Sequence, residues 1–185
     1  MQNILFFGDS LTAGYGLRNA ATESFPALIR QKIDAEKLDY KIINAGLSGD
    51  TSAGGLRRID YWLSQSVSIF VLELGINDII RGITPSTTLK NLQAITDKVK
   101  AKYPQAKIAV MGMEIPAFIH SPVAASFSEV YRTLASANQS GLVPFFLNGV
   151  AGKPQLNMPD RLHPNAEGYK VIADNVWPAI KQLLV

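Results

Sequence analysis

Five short apolar runs alternate along this chain with stretches long enough to hold crossover helices. The runs are rich in Val, Ile and Phe, and they occupy residues 4–7, 41–43, 69–74, 108–111 and 143–146. Strands that alternate with helices pair as parallel neighbours through right-handed crossovers, which leaves few possible topologies. The pattern therefore predicts an α/β fold, a three-layer α/β/α sandwich around a five-stranded parallel sheet.

Two segments have the spacing of amphipathic helices, with apolar residues three and four positions apart. The first begins at Thr84-Pro85 and ends before Pro104, and its apolar positions are Leu89, Leu92, Ile95, Val99 and Tyr103. The second lies near the C-terminus, and its apolar positions are Tyr169, Ile172, Val176, Ile180 and Leu183. Pro178 predicts a kink in this second segment or its division into two helices. Because the chain contains no repeat or interdomain linker, we expect one domain over residues 1–185.

A serine follows the first apolar run directly, in the segment Gly8-Asp9-Ser10-Leu11. In open α/β sheets, ligands bind outside the carboxyl ends of the strands, so Ser10 is a candidate nucleophile. The same residues are also common turn formers, and a plain turn is the alternative. Asp9 adjoins the serine, and two neighbouring anions would oppose each other. We therefore expect Asp9 to hydrogen-bond the loop rather than to act as an acid.

A candidate base and its acid lie near the C-terminus, in Asp160-Arg161-Leu162-His163-Pro164. A serine hydroxyl is a weak nucleophile and needs a base, whose tautomer a third group must fix. A tight turn would bring Asp160 and His163 to one side, and Pro164 is expected to open the next helix. The alternative is a helix-capping aspartate beside a surface histidine. The only other histidine, His120, has no acid at such a spacing.

Donors for an oxyanion are available after the second and third runs. Acyl transfer passes through a tetrahedral intermediate whose oxyanion needs preorganised N–H donors. Gly49 offers a backbone N–H, Asn77 a side-chain amide, and Ser10 its own backbone N–H. Gly49 and Asn77 are each equally explained as turn residues.

In order along the chain, these blocks resemble the SGNH (GDSL-type) hydrolases, and within them the small bacterial periplasmic enzymes with acyl-CoA thioesterase, lysophospholipase and arylesterase activity. The resemblance implies Ser10 as nucleophile, His163 as base and Asp160 as the acid that orients it. It implies Ser10, Gly49 and Asn77 as oxyanion donors, and a flavodoxin-like strand order 2-1-3-4-5. One departure is Ile76, where the most similar relatives often carry glycine, and it leaves the shape of the acyl pocket open.

Apolar residues near the predicted site are candidates for an acyl-binding groove. They are Ile76, Ile79, Ile80, Ile115, Phe118 and Ile119. The last three belong to a long loop, residues 112–122, that follows the fourth run. An apolar loop beside a nucleophile would form a wall or lid over an acyl chain. The alternative is that its apolar residues pack onto a helix predicted over residues 122–141.

Composition excludes several functions. The chain has no cysteine and only two histidines, which excludes disulfides, thiol catalysis and a histidine-rich metal site. Its net charge of +3 is scattered, so we expect no nucleic-acid partner. No apolar run approaches the roughly 20 residues of a membrane-spanning helix. We expect a monomer that needs no cofactor and acts on a small-molecule ester or lipid.

Three alternatives for the function stay open at this level. A rim with Asp9 and Asp78 is also compatible with Mg²⁺-dependent phosphoryl transfer, although the chain lacks a lysine-containing phosphate loop. The second alternative is a catalytically silent binding module, and within the resembled family a carbohydrate O-acetyl esterase is a third.

The first predicted strand begins almost at Met1. We expect an exported protein, periplasmic or secreted, whose leader is absent from this chain; a cytoplasmic protein would begin in the same way.

Overall fold

The computed structural model describes residues 2–113 and 122–184. Five parallel strands form one sheet in the order β2-β1-β3-β4-β5, which confirms the predicted fold class and the order that the family resemblance implied. The strands are β1 (Gln2–Gly8), β2 (Tyr40–Gly46), β3 (Ile69–Glu73), β4 (Lys107–Met111) and β5 (Gly141–Val143). The buried residues 4–7 of β1 and β3 up to Glu73 are apolar because helices cover both faces of the sheet.

The helices pack in two groups, one on each side of the sheet. The helices are α1 (Ser10–Ala13), α2 (Ala20–Glu23), α3 (Phe25–Ala35), α4 (Ser52–Trp62), α5 (Ile76–Ile80), α6 (Pro85–Lys102), α7 (Pro122–Asn138) and α8 (Ala166–Leu183). α3 packs against α8, while α6 packs against both α4 and α7. Both predicted amphipathic stripes face the core, where Leu92, Val99 and Tyr169 are fully buried. Among the described residues, no helix has the length and apolar character needed to cross a membrane.

The fifth strand lies elsewhere than expected, and one of the two expectations for the last helix is excluded. The fifth strand covers Gly141–Val143 rather than residues 143–146, because Pro144 has no N–H to offer the ladder and the chain turns there. Pro178 does not divide the last helix, since α8 runs continuously over Ala166–Leu183. Pro178 lies on the exposed face of α8, where water can solvate the carbonyl that loses its partner.

Candidate active site

Every predicted block lies at the carboxyl edge of the sheet. Ser10 opens α1 directly after β1, Gly49 lies in the turn after β2, and Asn77 is on α5 after β3. Asp160 and His163 belong to the connection between β5 and α8. The crossovers therefore gather residues that are far apart in sequence, as expected for a parallel sheet.

Ser10, His163 and Asp160 form a continuous hydrogen-bonded line. The Ser10 Oγ is 2.9 Å from His163 Nε2, and His163 Nδ1 is 2.7 Å from Asp160 Oδ2. The hydroxyl is nearly buried, the imidazole is half-buried and the carboxylate is exposed. These contacts have the lengths and the order of a nucleophile, a base and an orienting acid.

The turn that carries the acid and the histidine is held by its own backbone. Asp160 Oδ1 accepts hydrogen bonds from the amides of Leu162 and His163, both at 3.0 Å. These bonds, first the amide and ring of His163 and then the amide of Leu162, lower the pKa of the Asp160 carboxyl to about 2. Arg161 lies between Asp160 and Leu162. Its φ of 59° is uncommon outside glycine and is typical of a tight turn.

The helix after this turn begins later than expected and is hydrogen-bonded to the segment that carries Ser10. Pro164 does not open α8; Asn165 caps the helix, its side chain accepting from Gly168 N at 3.0 Å. The buried Tyr169 hydroxyl on α8 donates to Leu11 O at 3.0 Å, one residue after Ser10. This hydrogen bond therefore joins the helix that follows the histidine turn to the turn that carries Ser10.

The turn that carries Ser10 requires glycine before it and a cap within it. A Cβ on Gly8 would lie 2.1 Å from Thr12 Oγ1 and 2.5 Å from Glu73 Oε2, so no side chain fits. Asp9 is the N-cap of α1, and its Oδ1 accepts from Leu11 N at 3.0 Å. Asp9 thus hydrogen-bonds the loop, as its position beside the serine suggested.

A second acid, Glu73, lies beneath this turn and was not anticipated. It ends β3 fully buried, and its Oε2 accepts from Asp9 N at 3.3 Å and from Thr12 Oγ1 at 2.7 Å. Burial, followed by the charge of Asp9, raises the pKa of Glu73 well above its usual range. Burial likewise raises the pKa of Asp9 to about 7, against the opposing effect of the Leu11 amide. The one sequence signal was an acid at the end of an otherwise apolar strand.

The three predicted oxyanion donors differ in their availability. Asn77 Nδ2 donates to Asp9 Oδ2 at 3.1 Å and to the Asp50 carbonyl at 2.9 Å, so both amide hydrogens have internal acceptors. The backbone amides of Ser10 and Gly49 donate to no other described residue. Gly49 has a φ of 78°, a conformation that glycine adopts without strain.

Two clusters of ion pairs and hydrogen bonds stabilise the carboxyl edge of the sheet, and the first is built on Arg58. Arg58 pairs with Asp50 Oδ2 at 2.6 Å and donates to the carbonyls of Ala45 and Gly8, both at 2.8 Å, across the ends of β2 and β1. Its guanidinium lies 3.9 Å from the ring centroid of Phe7, which adds a cation–π contact. Nothing in the sequence pattern singled out Arg58, because its partners are distant along the chain.

The second cluster is built on Asp78. Its carboxylate accepts from Ser52 N at 2.8 Å, from Ser52 Oγ at 2.5 Å and from Thr88 Oγ1 at 3.0 Å. The carboxylates of Asp78 and Asp9 are therefore turned inward to protein donors rather than outward as ligands for Mg²⁺. Over residues 2–113 and 122–184, no group of three His, Cys, Asp or Glu side chains could hold a metal ion.

The structure tests only part of the expected acyl groove. Ile76 and Ile79 are partly buried against the core, whereas Ile80 is 59% exposed. The remaining three groove candidates, Ile115, Phe118 and Ile119, lie outside the described residues, as do His120 and most of the loop over residues 112–122.

Three further exposed apolar side chains at this edge were not anticipated: Tyr15, Leu47 and Leu162. The ring of Tyr15 lies 4.6 Å from the His163 ring, centroid to centroid, and is 52% exposed. Tyr15 lies between Gly14 and Gly16, and both glycines have a positive φ. The sequence feature that could have indicated Tyr15 is therefore the Gly-Tyr-Gly segment that follows the Ser10 helix.

Two curated proteins are similar to this chain over nearly its whole length. Esterase TesA of Pseudomonas aeruginosa is 36% identical over 184 residues, which cover 99% of this chain and 90% of that protein. Thioesterase 1/protease 1/lysophospholipase L1 of Escherichia coli is 39% identical over 181 residues, 97% of this chain and 82% of that protein.

Solved structures and a family model agree with these relatives. A crystal structure of TesA has a TM-score of 0.91 at 36% identity, over 98% of this chain and 99% of its own. The psychrotrophic esterase EstA from Pseudoalteromonas sp., in a structure inhibited by monoethylphosphonate, has a TM-score of 0.88 at 35% identity, over 98% of each chain. A family model matches residues 6–171. The motif blocks, the strand order and these similarities together show that the chain belongs to the GDSL-like Lipase/Acylhydrolase family, the SGNH hydrolases.

Proposed function

We propose that this protein is a serine esterase that hydrolyses carboxylic esters and thioesters through an acyl-enzyme, with Ser10, His163 and Asp160 as its catalytic triad. The observation that carries the proposal is the hydrogen-bonded line from Asp160 through His163 to the Ser10 hydroxyl, at 2.7 Å and 2.9 Å. That line meets the requirement that the base reach the proton it removes. The phosphonate-inhibited relative EstA is consistent with an attacking hydroxyl in this fold.

The reaction proceeds in two half-reactions. The Ser10 Oγ attacks the substrate carbonyl while its proton passes to His163 Nε2, and Asp160 stabilises the imidazolium. His163 then gives that proton to the leaving oxygen or sulfur as the tetrahedral intermediate collapses to the acyl-enzyme. Water repeats the sequence on the acyl-enzyme, with His163 again as base, and releases the carboxylic acid and free Ser10.

The oxyanion is stabilised by the amides of Ser10 and Gly49 and by the Asn77 side chain. The two backbone amides are available in the free enzyme, whereas Asn77 already donates to Asp9 and to the Asp50 carbonyl. One of these two contacts must lengthen, or become shared, when the negative charge develops. Because the new acceptor is charged, this exchange favours the transition state over the ground state.

Replacing Asn77 by alanine is therefore expected to reduce kcat by about 10² to 10³, roughly 3 to 4 kcal/mol, with little change in KM. Steady-state kinetics with a neutral p-nitrophenyl ester give both constants, and the melting temperature is measured in parallel. Asn91→Ala is the matched control, because Asn91 also donates a side-chain amide, to Ser52 Oγ at 2.9 Å, outside the proposed oxyanion hole. A large loss of stability with near-normal kcat would instead make Asn77 a structural turn residue.

We propose aryl and alkyl esters, acyl thioesters and lysophospholipids as the substrate range. The curated relatives are an esterase and a thioesterase/lysophospholipase by name. The exposed Leu47 and Ile80 offer an apolar surface on the two segments that carry Gly49 and Asn77. An acyl chain on this surface leaves the head group outside, so one site would accept several leaving groups. We also propose that the enzyme works as a monomer without a cofactor.

The acyl preference is expected to grow with chain length. Each fully buried methylene contributes about 0.8 kcal/mol, so kcat/KM should rise by up to about 15-fold per added carbon pair and then level off. The measurement uses p-nitrophenyl esters of increasing length, then an acyl-CoA and a lysophosphatidylcholine. Ile80→Ser should flatten the rise, whereas Tyr61→Ser, at an exposed apolar residue on α4, should not. A strict preference for acetyl esters would contradict the groove and favour a carbohydrate O-acetyl esterase.

A further inference from the structure

The helix that carries Asn77 also contacts the turn that carries Gly49. Arg81 caps the C-terminal end of α5, where its backbone amide donates to Asn77 O at 3.1 Å. Its guanidinium Nη2 donates to the Gly49 carbonyl at 2.8 Å. Arg81 therefore joins the segments that carry two of the three proposed oxyanion donors.

We propose that Arg81 is a positioning residue for the oxyanion hole, which sets the Gly49 amide relative to Asn77. The inference rests on the proposed function, since it assigns a role within the same site. Arg81 acts through the Gly49 peptide and does not itself donate to the oxyanion.

The turn is restrained by α5 at consecutive carbonyls. Arg81 holds the Gly49 carbonyl, and Asn77 Nδ2 holds the next carbonyl, that of Asp50, at 2.9 Å. Inside the turn, Asp50 N donates to Leu47 O at 3.1 Å. Gly49 has no side chain and lies at a φ of 78°, where glycine moves more freely than other residues. Without Arg81, the Gly49 carbonyl loses its only described partner, and the direction of the Gly49 N–H becomes less defined.

The same contact contributes little to folding stability. The Arg81 side chain is exposed, and hydrogen bonds of exposed charged groups are worth little because water competes for both partners. The buried anchors of the turn, the Asp50–Arg58 ion pair and the Ser52–Asp78 contacts, do not involve Arg81. Loss of Arg81 should therefore change the reaction rate and leave the fold intact.

The test compares Arg81→Met and Arg81→Lys with a charge-matched control, Arg57→Met, at an exposed arginine on α4. With a neutral p-nitrophenyl ester, Arg81→Met is expected to lower kcat about tenfold with KM and melting temperature unchanged, because a small misplacement of a donor is costly. Arg81→Lys should recover part of the loss, and Arg57→Met should match the wild-type protein. In the Asn77→Ala background, Arg81→Met should cost less, since the two residues act on one oxyanion.

Two results would overturn the inference. One is an unchanged kcat in Arg81→Met. The other is a loss confined to KM for an anionic acyl-CoA, with normal kinetics on the neutral ester, which would make Arg81 a contact for substrate phosphate. Failure of the proposed function is distinguishable from both, because the wild-type protein itself would then hydrolyse no ester.

Discussion

Ser10→Ala is expected to lower kcat by about 10⁴-fold or more while the protein stays folded. The hydroxyl is the only atom in the site that forms the acyl bond, and its one described side-chain partner is His163 Nε2. Removing it therefore abolishes the covalent route but disturbs no buried network. Hydrolysis of a short p-nitrophenyl ester measures the loss, and an unchanged melting temperature shows that the fold survives.

Covalent labelling provides the matched test of the same residue. A fluorophosphonate should add one equivalent to the wild-type protein without any metal, at the peptide that contains Ser10. Ser64→Ala is the control, because Ser64 is an exposed serine whose hydroxyl bonds the Tyr61 carbonyl at the end of α4. Undiminished labelling in Ser10→Ala, or labelling confined to another serine, would refute the nucleophile.

The fold could be predicted because a parallel sheet leaves a strong local signal. Strands buried on both faces are continuous apolar runs, and the helices between them carry apolar stripes of regular spacing. The fifth strand was misplaced because its run of apolar letters continues through Pro144 to Phe146, whereas pairing with β4 depends on backbone N–H groups. A pattern of apolar residues does not show which of them have a backbone N–H that can pair with the neighbouring strand.

The contacts of the proposed triad could be predicted because Asp160 and His163 are three residues apart, within one turn, and Ser10 follows a strand. The supporting residues could not be predicted in the same way. Glu73 beneath the nucleophile, Arg58 across two strand ends and Arg81 on the Gly49 turn all act through contacts formed only in the folded chain. A single residue whose partners are distant along the chain leaves no recognisable sequence pattern, so these roles become visible only in the folded structure.

His163→Ala is expected to cause a loss comparable to that of Ser10→Ala, about 10⁴-fold in kcat, because the hydroxyl then has no base. Asp160→Asn should also be severe, since Asn keeps an acceptor for the Leu162 and His163 amides but lacks the charge that stabilises the imidazolium. The pKa of Asp160 lies near 2, below the usual 3.8, so this carboxylate is ionised from about pH 4 upward. The contribution of the ionised Asp160 carboxylate to folding stability is present above about pH 4, and it is lost as the pH falls toward 2.

The dependence of kcat on pH, measured for the wild-type protein and for Asp160→Asn, tests the role of the Asp160 carboxylate. Because the pKa of Asp160 lies near 2, protonation of this carboxylate should not limit the wild-type rate above about pH 4. In Asp160→Asn the imidazolium that forms during the reaction loses its charged partner, so kcat should be low at every pH in this range. His120→Ala, at the only other histidine, should keep both the rate and the profile. A kcat that is unchanged in Asp160→Asn would mean that the carboxylate contacts the histidine in the structure without acting on it during catalysis.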